Sequence, residues 1–217
     1  MDSRDVVDHF QANHDTIEKR ISGFEQLKDA EDYRLFMELC FVILTSQSSA
    51  KNCWEAVKEL DERDLLLNGN KNQISKVLAR HDVQYEERKS SYITENRNIL
   101  SQPTLTDPTN ELKLGEKLDE DLEKARNWLA GNLKGVSWKG ASHFLRNIDR
   151  GDPAIISGHI LKKLHALGVI DSVERPDSYS DYRDMERKME RFADEIGLTV
   201  TELDLTLWSM ETGDVFK

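Results

Sequence analysis

Apolar residues follow a helical period along almost the whole chain. From about Asp32 to Thr45, Phe36, Leu39, Cys40, Ile43 and Leu44 fall at i, i+3, i+4, i+7 and i+8, which predicts a central, buried helix. Before it, about Asp5 to Ile21 places Val6, Phe10, His14 and Ile17 on one face of a more polar helix that Gly23 is expected to end. After it, the small-polar junction Thr45–Ser49 can start a helix by capping, and Ala50, Cys53, Trp54, Val57 and Leu60 repeat the pattern. A turn at Leu65–Gly69, a short helix through Ile74, Val77 and Leu78, a loop at Asp82–Tyr85 and a helix from about Glu87 to Leu100 follow. Pro103 and Pro108 break the chain, and the charge-rich stretch Asn110 to Glu120 is predicted to be helical and solvated. A helix from about Glu120 to Leu133 turns sharply at Gly135-Val136-Ser137 and leaves as a second helix through Ala141, Phe144, Leu145 and Ile148. The run Ala154 to Leu161 is read as the start of a helix reaching about Leu167. Tyr182, Met185, Met189, Phe192, Ala193 and Ile196 mark an amphipathic helix closed by Gly197. Thr199 and Glu202 have capping-box spacing for a last helix carrying Leu203, Leu207, Trp208 and Met210. No stretch alternates as a strand would. The expected fold is all-α, with about ten helices and no internal repeat.

Composition narrows what such a fold can do. With 217 residues the chain can bury a core as one large domain or two small lobes. No apolar run approaches the roughly 20 residues of a membrane span, and the polar start MDSRDVVDHF does not read as a signal peptide. Cys40 and Cys53 are too few to hold a four-ligand iron–sulfur or zinc site, so the expectation is buried free thiols in a reducing cytoplasm, with no metal and no cofactor. The net charge of −11 is unusual for a chain that binds nucleic acid by neutralising phosphates. Any such binding must rest on a local site.

Leu133 to Asn147, LKGVSWKGASHFLRN, is the best candidate for that site. A two-helix hairpin points backbone N–H groups outward at its turn and at the start of its second helix, which suits a phosphate. Lys139 stands just inside that second helix as a candidate amine nucleophile. Read alone, the stretch is equally a tight helical corner. Gln47 is either an ordinary surface residue near a cap or a loop-tip side chain able to fill a gap in a base stack. Tyr85, by the ordinary reading, is an aromatic anchor under a loop.

Leu133, Gly135, Val136, Lys139 and Ala141 match the hairpin of the helix-hairpin-helix DNA glycosylases. The chain resembles most the archaeal-type, second class of 8-oxoguanine DNA glycosylase/lyase. Phe36 to Ala50, the hairpin, Ala154 to Leu161 and Glu202 to Lys217 correspond in order and spacing. The resemblance implies a two-lobed helical fold without an iron–sulfur cluster. One lobe, about residues 30–150, holds the hairpin at 122–148. The other joins 1–29 to 151–217, with the active-site cleft between them. It implies a monomer that binds damaged double-stranded DNA, flips the lesion out of the duplex, and excises an oxidised purine through a lysine imine, with AP-lyase chemistry. Lys139 matches the catalytic lysine. Tyr85 and Trp208 match the two aromatics that sandwich the flipped base, and Lys217 matches the C-terminal lysine at the oxidised purine. Gln47 matches the wedge into the vacated stack. Gly135, Val136 and Ser137 match the DNA-gripping turn. His143 and His159 match helix positions read as hydrogen-bonded rather than metal-ligating, with His159 among the DNA-facing residues.

One departure bears on catalysis. Where the family has Asp, usually Arg, then His, this chain has Ser157, Gly158 and His159. The Asp stabilises the cationic sugar and helps to manage the lysine proton, and a serine offers a dipole without charge. Asp149 and Asp152 lie nearby in sequence as substitutes. Ser137 replaces the second hairpin glycine, and Glu86, Glu87, Glu211 and Asp214 add negative charge near the pocket segments. The departures keep two alternatives open: a catalytically dead homologue that binds damaged or modified nucleic acid, and a glycosylase for another modified base, single strands or RNA.

Overall fold

The structure, a computed structural model, describes residues 1–102 and 111–217. The chain break expected at Pro103 and Pro108 and the first residue of the charged stretch, Asn110, lie outside the described residues. Among the described residues there are eleven α-helices and no strand: α1 (Ser3–Glu25), α2 (Asp32–Leu44), α3 (Ala50–Glu62), α4 (Leu65–Asn68), α5 (Lys71–Arg80), α6 (Glu86–Leu100), α7 (Leu122–Asn132), α8 (Trp138–Asn147), α9 (Gly158–Ala166), α10 (Tyr179–Ile196) and α11 (Val200–Thr212). The chain divides into two compact units, Met1–Lys28 with Leu145–Lys217, and Asp29–Phe144, so the boundary falls inside α8.

The central unit, Asp29–Phe144, is built around α2, in which every residue from Leu35 to Leu44 is buried. Around it, α2 packs on α3 and α6, and α5 on α3 and α6. The partner faces are those the periodicity places inward: Cys53, Ala56, Val57 and Leu60 on α3, and Ile74, Val77 and Leu78 on α5. Both cysteines are buried and free, and burial pushes the Cys53 thiol up to about 11. Helix α6 differs from its neighbours. Its buried face is largely polar, with Lys89, Ser90 and Asn96 alongside Ile93 and Leu100.

In the other unit, α11 packs on α1 and α9, and α10 packs on α11. Ile17, Phe24, Leu205 and Val215 form a core there, with Phe10 and Ile21 against it. Capping boxes at Ser178/Asp181 and Thr199/Glu202 start α10 and α11, and left-handed Gly197 and Gly213 close them.

Three expectations need correction. Gly23 does not end α1, which runs on to Glu25 because Phe24, 4% exposed, extends the buried face. That burial outweighs the roughly 1 kcal/mol cost of a helical glycine. The stretch after Asn110 is not a solvated helix. It holds only a three-residue 3₁₀ turn, Gly115–Lys117, flanked by buried Leu114 and Leu118. The Gly115 N–H donates to Asp32 Oδ1 (2.5 Å), and the Lys113 N–H to Leu100 O (3.0 Å). Both bonds hold the backbone away from a helical ladder. Finally, Ala154–Ile156 is irregular rather than helical, with a tight turn closed by the Ser157 N–H on Ile155 O (2.7 Å), and α9 starts only at Gly158. Tyr182 and Glu186 hold this segment: the Tyr182 hydroxyl donates to Ala154 O (2.7 Å) and accepts from the Ile156 N–H, and buried Glu186 accepts from the Ala154 N–H (2.9 Å).

Candidate active site

The hairpin turn joins α7 to α8. Leu133 and Val136 are buried and anchor it, while Lys134, Gly135 and Ser137 face solvent. Gly135 takes the left-handed conformation, φ +77°, with the Tyr92 ring directly beneath it. A Cβ added at Gly135 would fall 2.8 Å from Tyr92 Cε2, so only glycine fits both the dihedral and the space. Asn96, fully buried on α6, brackets the turn: its Nδ2 donates to Lys134 O (2.9 Å) and its Oδ1 accepts from the Lys134 N–H (2.7 Å). Arg88 lies over the Tyr92 ring and bonds its hydroxyl, which puts a cation beside the turn. Ser137 does not take over a glycine's dihedral. It caps α8, its Oγ accepting from the Gly140 N–H (3.3 Å) and its carbonyl from the Ala141 N–H (2.7 Å). The cap engages one of the N–H groups that an unadorned helix start would offer a phosphate. Lys139, half-buried, is the second residue of α8. Four residues on, His143 is buried with its ring edge against Phe41 (centroids 5.7 Å).

The same unit brings Gln47 and Tyr85 together. Both adopt left-handed backbone conformations, φ 55° and 58°, which is uncommon for residues other than glycine. The Tyr85 hydroxyl donates to Gln47 Oε1 at 3.2 Å. Tyr85 is the N-cap residue of α6 and is 58% exposed. It presents its ring to solvent instead of anchoring a loop. The 45–49 junction does not cap α3 as expected: Ser49 stands at the cap position without a side-chain bond. Instead Ser48 Oγ accepts from the Gln84 N–H (2.9 Å) and from Lys89 Nζ (3.0 Å).

In the unit of Met1–Lys28 and Leu145–Lys217, Ser157 is the N-cap of α9. Its Oγ accepts from the Ile160 N–H at 3.3 Å, with the backbone extended at φ −93°, ψ 164°. A Cβ on the adjacent Gly158 would lie 3.9 Å from Arg175 Nη2, so a guanidinium stands beside that position. The two candidate substitute carboxylates are engaged elsewhere. Asp152 caps α11, accepting from the Val200 and Thr201 N–H groups (2.8 and 2.7 Å) and the Thr201 hydroxyl (2.6 Å). Asp149 pairs with Lys28 at 3.1 Å. His159 sets its ring edge-on to Trp208, centroids 4.9 Å apart, and lies 3.5 Å from Glu211. Lys163, 3.2 Å away, is the main cause holding the Glu211 carboxyl below the usual carboxylate range; burial opposes the shift and His159 adds to it. The Glu211 carboxylate is therefore held ionised in its pair with Lys163. Lys217 is the last residue, after Phe216, whose ring lies against the Arg20 guanidinium (5.6 Å).

Sequence comparison gives these positions a common context. The profile of the 8-oxoguanine DNA glycosylase family, the helix-hairpin-helix type, matches residues 17–198. The chain belongs to this family. A glycosylase/AP lyase of this name from Fusobacterium nucleatum is 33% identical, over 92% of this chain and 90% of its own. Another from Methanocaldococcus jannaschii is 31% identical, over 94% of this chain and 92% of its own. Among solved structures, the M. jannaschii enzyme in complex with a 15mer DNA containing 8-oxoguanine superimposes with a TM-score of 0.84 at 28% identity, covering 97% of this chain and 99% of that one. The Thermotoga maritima family member superimposes with a TM-score of 0.85 at 27% identity, covering 99% and 98%. Within the family fold, sequence reasoning missed Lys89, Tyr92 and Asn96, whose side chains hold the loop and the turn from beneath. Nothing in the apolar periodicity marks them.

Proposed function

We propose that this protein is a DNA glycosylase with AP-lyase activity that removes an oxidised purine of the 8-oxoguanine class in base-excision repair. One observation carries the reading: a family match over residues 17–198, within which Lys139 stands at the start of the second hairpin helix. The Lys139 amine, once deprotonated, attacks C1′ of the damaged nucleotide. The C1′–N bond breaks, the base leaves with its electron pair and is protonated, and the aminated sugar ring-opens to an imine. Abstraction of the proton at C2′ then eliminates the 3′ phosphate. The hairpin turn at Gly135–Ser137 takes a phosphate on backbone N–H groups. Tyr85 and Trp208 offer aromatic faces to the extruded base, with stacking of about 1–3 kcal/mol each, and Lys217 contacts the oxidised purine. Gln47 enters the vacated stack, and His159 supports Trp208. The partner is damaged duplex DNA, the working form is a monomer, and the place of action is the cytoplasm, in keeping with two buried free thiols.

Ser157 favours one second reading. Without a carboxylate at that position, the protein binds the lesion and excises it slowly or not at all. A panel of duplexes carrying 8-oxoguanine, other oxidised bases or none, scored for free base by mass spectrometry, separates the readings. Release from 8-oxoguanine duplex alone supports the proposal. Release only from another base contradicts the assigned substrate, and tight binding without any release favours the second reading.

A further inference from the structure

Lys89 is a buried lysine for which the excision chemistry has no use. It is 4% exposed, and all three of its ammonium donors are engaged: Leu44 O at 2.8 Å, Ser46 O at 2.6 Å and Ser48 Oγ at 3.0 Å. Leu44 is the last residue of α2, so the ammonium sits at the carbonyl end of that helix, where a cation is favoured. Cys53 Sγ donates to the same Leu44 carbonyl (3.1 Å). The bonds to Ser46 and Ser48 bracket Gln47. With its neighbours fixed on both sides, Gln47 is held in its left-handed conformation. Ser48 passes the constraint on, because its Oγ also accepts the Gln84 N–H. Tyr85 follows directly, and its carbonyl accepts the Lys89 N–H (2.9 Å). One residue thus ties both ends of the Gln47–Tyr85 hydrogen bond to α6. That helix also carries Tyr92 and Asn96 beneath the hairpin turn.

We propose that Lys89 is a positioning residue that holds the Gln47–Tyr85 pair preformed in the free protein, with Gln47 ready to occupy the gap left when the damaged base is extruded. The gap-filling half of this inference rests on the proposed glycosylase function. The preformed pair does not. An apolar residue of similar length would remove three charge-assisted bonds at once, leaving Leu44 O only the Cys53 thiol, Ser46 O only a long bond from the Ser48 hydroxyl (3.5 Å) and Ser48 Oγ only the Gln84 N–H, which loosens the loop on both sides of Gln47.

The test combines two independent readouts on the full chain. Hydrogen exchange in the free protein follows the Gln84 amide and residues 46–49. Lys89→Met is expected to speed exchange there by about tenfold or more, the scale of losing hydrogen bonds to a charged group, and Lys89→Arg to restore much of the protection. Ser48→Ala, a milder change, is expected to act in the same direction and carries the test if Lys89→Met fails to fold. Unchanged exchange at Gln84 in these variants overturns the proposal whatever the activity. The second readout separates extrusion from chemistry. Lys89→Met is expected to slow release of 8-oxoguanine by about tenfold while borohydride trapping on a duplex with a preformed abasic site stays within about twofold, because no base has to be extruded there. Added to Gln47→Ala, it should cause little further loss. Equal falls in release and trapping, or fully additive effects with Gln47→Ala, contradict action through Gln47. A wild-type protein that releases no 8-oxoguanine overturns the functional reading and the gap-filling role together, while the exchange data still decide the preformed pair.

Discussion

Replacing Ser157 with Asp is a test in which local structure and expected rate can be worked out together. Ser157 caps α9 from an extended backbone, and Asp is accepted as well as Ser at such a position. The chain before it is held by Tyr182 and Glu186, so the new side chain inherits a fixed backbone. One carboxylate oxygen can keep the bond to the Ile160 N–H and leave the other free. A carboxylate at a helix N-terminus is stabilised by about 0.3–1 kcal/mol, and α9 has no acidic residue in its first turn to compete. Stability should therefore hold or rise slightly. A preorganised charge at the developing cationic sugar contributes about 3–4 kcal/mol, or 10²–10³ in rate. Because the cap engages part of the carboxylate, the lower end, roughly a hundredfold, is expected. The two nearby carboxylates are committed to other partners, Asp152 to the α11 cap and Asp149 to Lys28. The assay is single-turnover release of 8-oxoguanine by wild type, Ser157→Asp and Ser157→Asn, with thermal unfolding alongside. Asn has the same shape and also caps, but it is neutral, and should give no gain. A folded Ser157→Asp protein within about threefold of wild type would refute the reasoning, as would an equal gain from Asn.

Asn96→Ala removes both bonds that bracket Lys134 and empties a fully buried site beneath the turn. A loss of roughly 2–3 kcal/mol in unfolding free energy is expected by denaturant titration, together with weaker binding of any duplex. Glu211 predicts a pH dependence. Its carboxyl is held below the usual range chiefly by Lys163, so the stability it contributes is present above the ordinary glutamate value of about 4.3 and is lost as pH falls through its lower folded value. The difference in melting temperature between wild type and Glu211→Gln should accordingly vanish on acidification below that range, and a difference that grew instead would contradict the pairing.

The fold was legible where burial is apolar. The run in α2 and the facing stripes of α3 and α5 announce their packing, and the Thr199/Glu202 spacing announces the start of α11. It was not legible where backbone hydrogen bonds to distant side chains override local preference. Ala154–Ile156 reads as a helical start, yet Tyr182 and Glu186, some 28 to 32 residues later, hold it out of the helix. Asp32 fixes Gly115 across 83 residues in the same way. Among the candidate residues, the hairpin and Lys139 were visible because their spacing is local. Lys89 and Asn96 were not, because a polar residue buried to satisfy remote carbonyls looks in sequence like any solvent-facing one. Tyr85 goes the other way: the ordinary reading of an aromatic as an anchor under a loop does not hold, since it stands exposed at the N-terminus of α6, bonded to Gln47.

The central claim is that Lys139 is the nucleophile. Incubating the protein with an 8-oxoguanine duplex under borohydride, then mapping the adduct by peptide mass spectrometry, tests it most directly. The account predicts a DNA adduct on Lys139 that disappears in Lys139→Gln. An adduct mapped to another lysine, or base release that persists in Lys139→Gln, would contradict it.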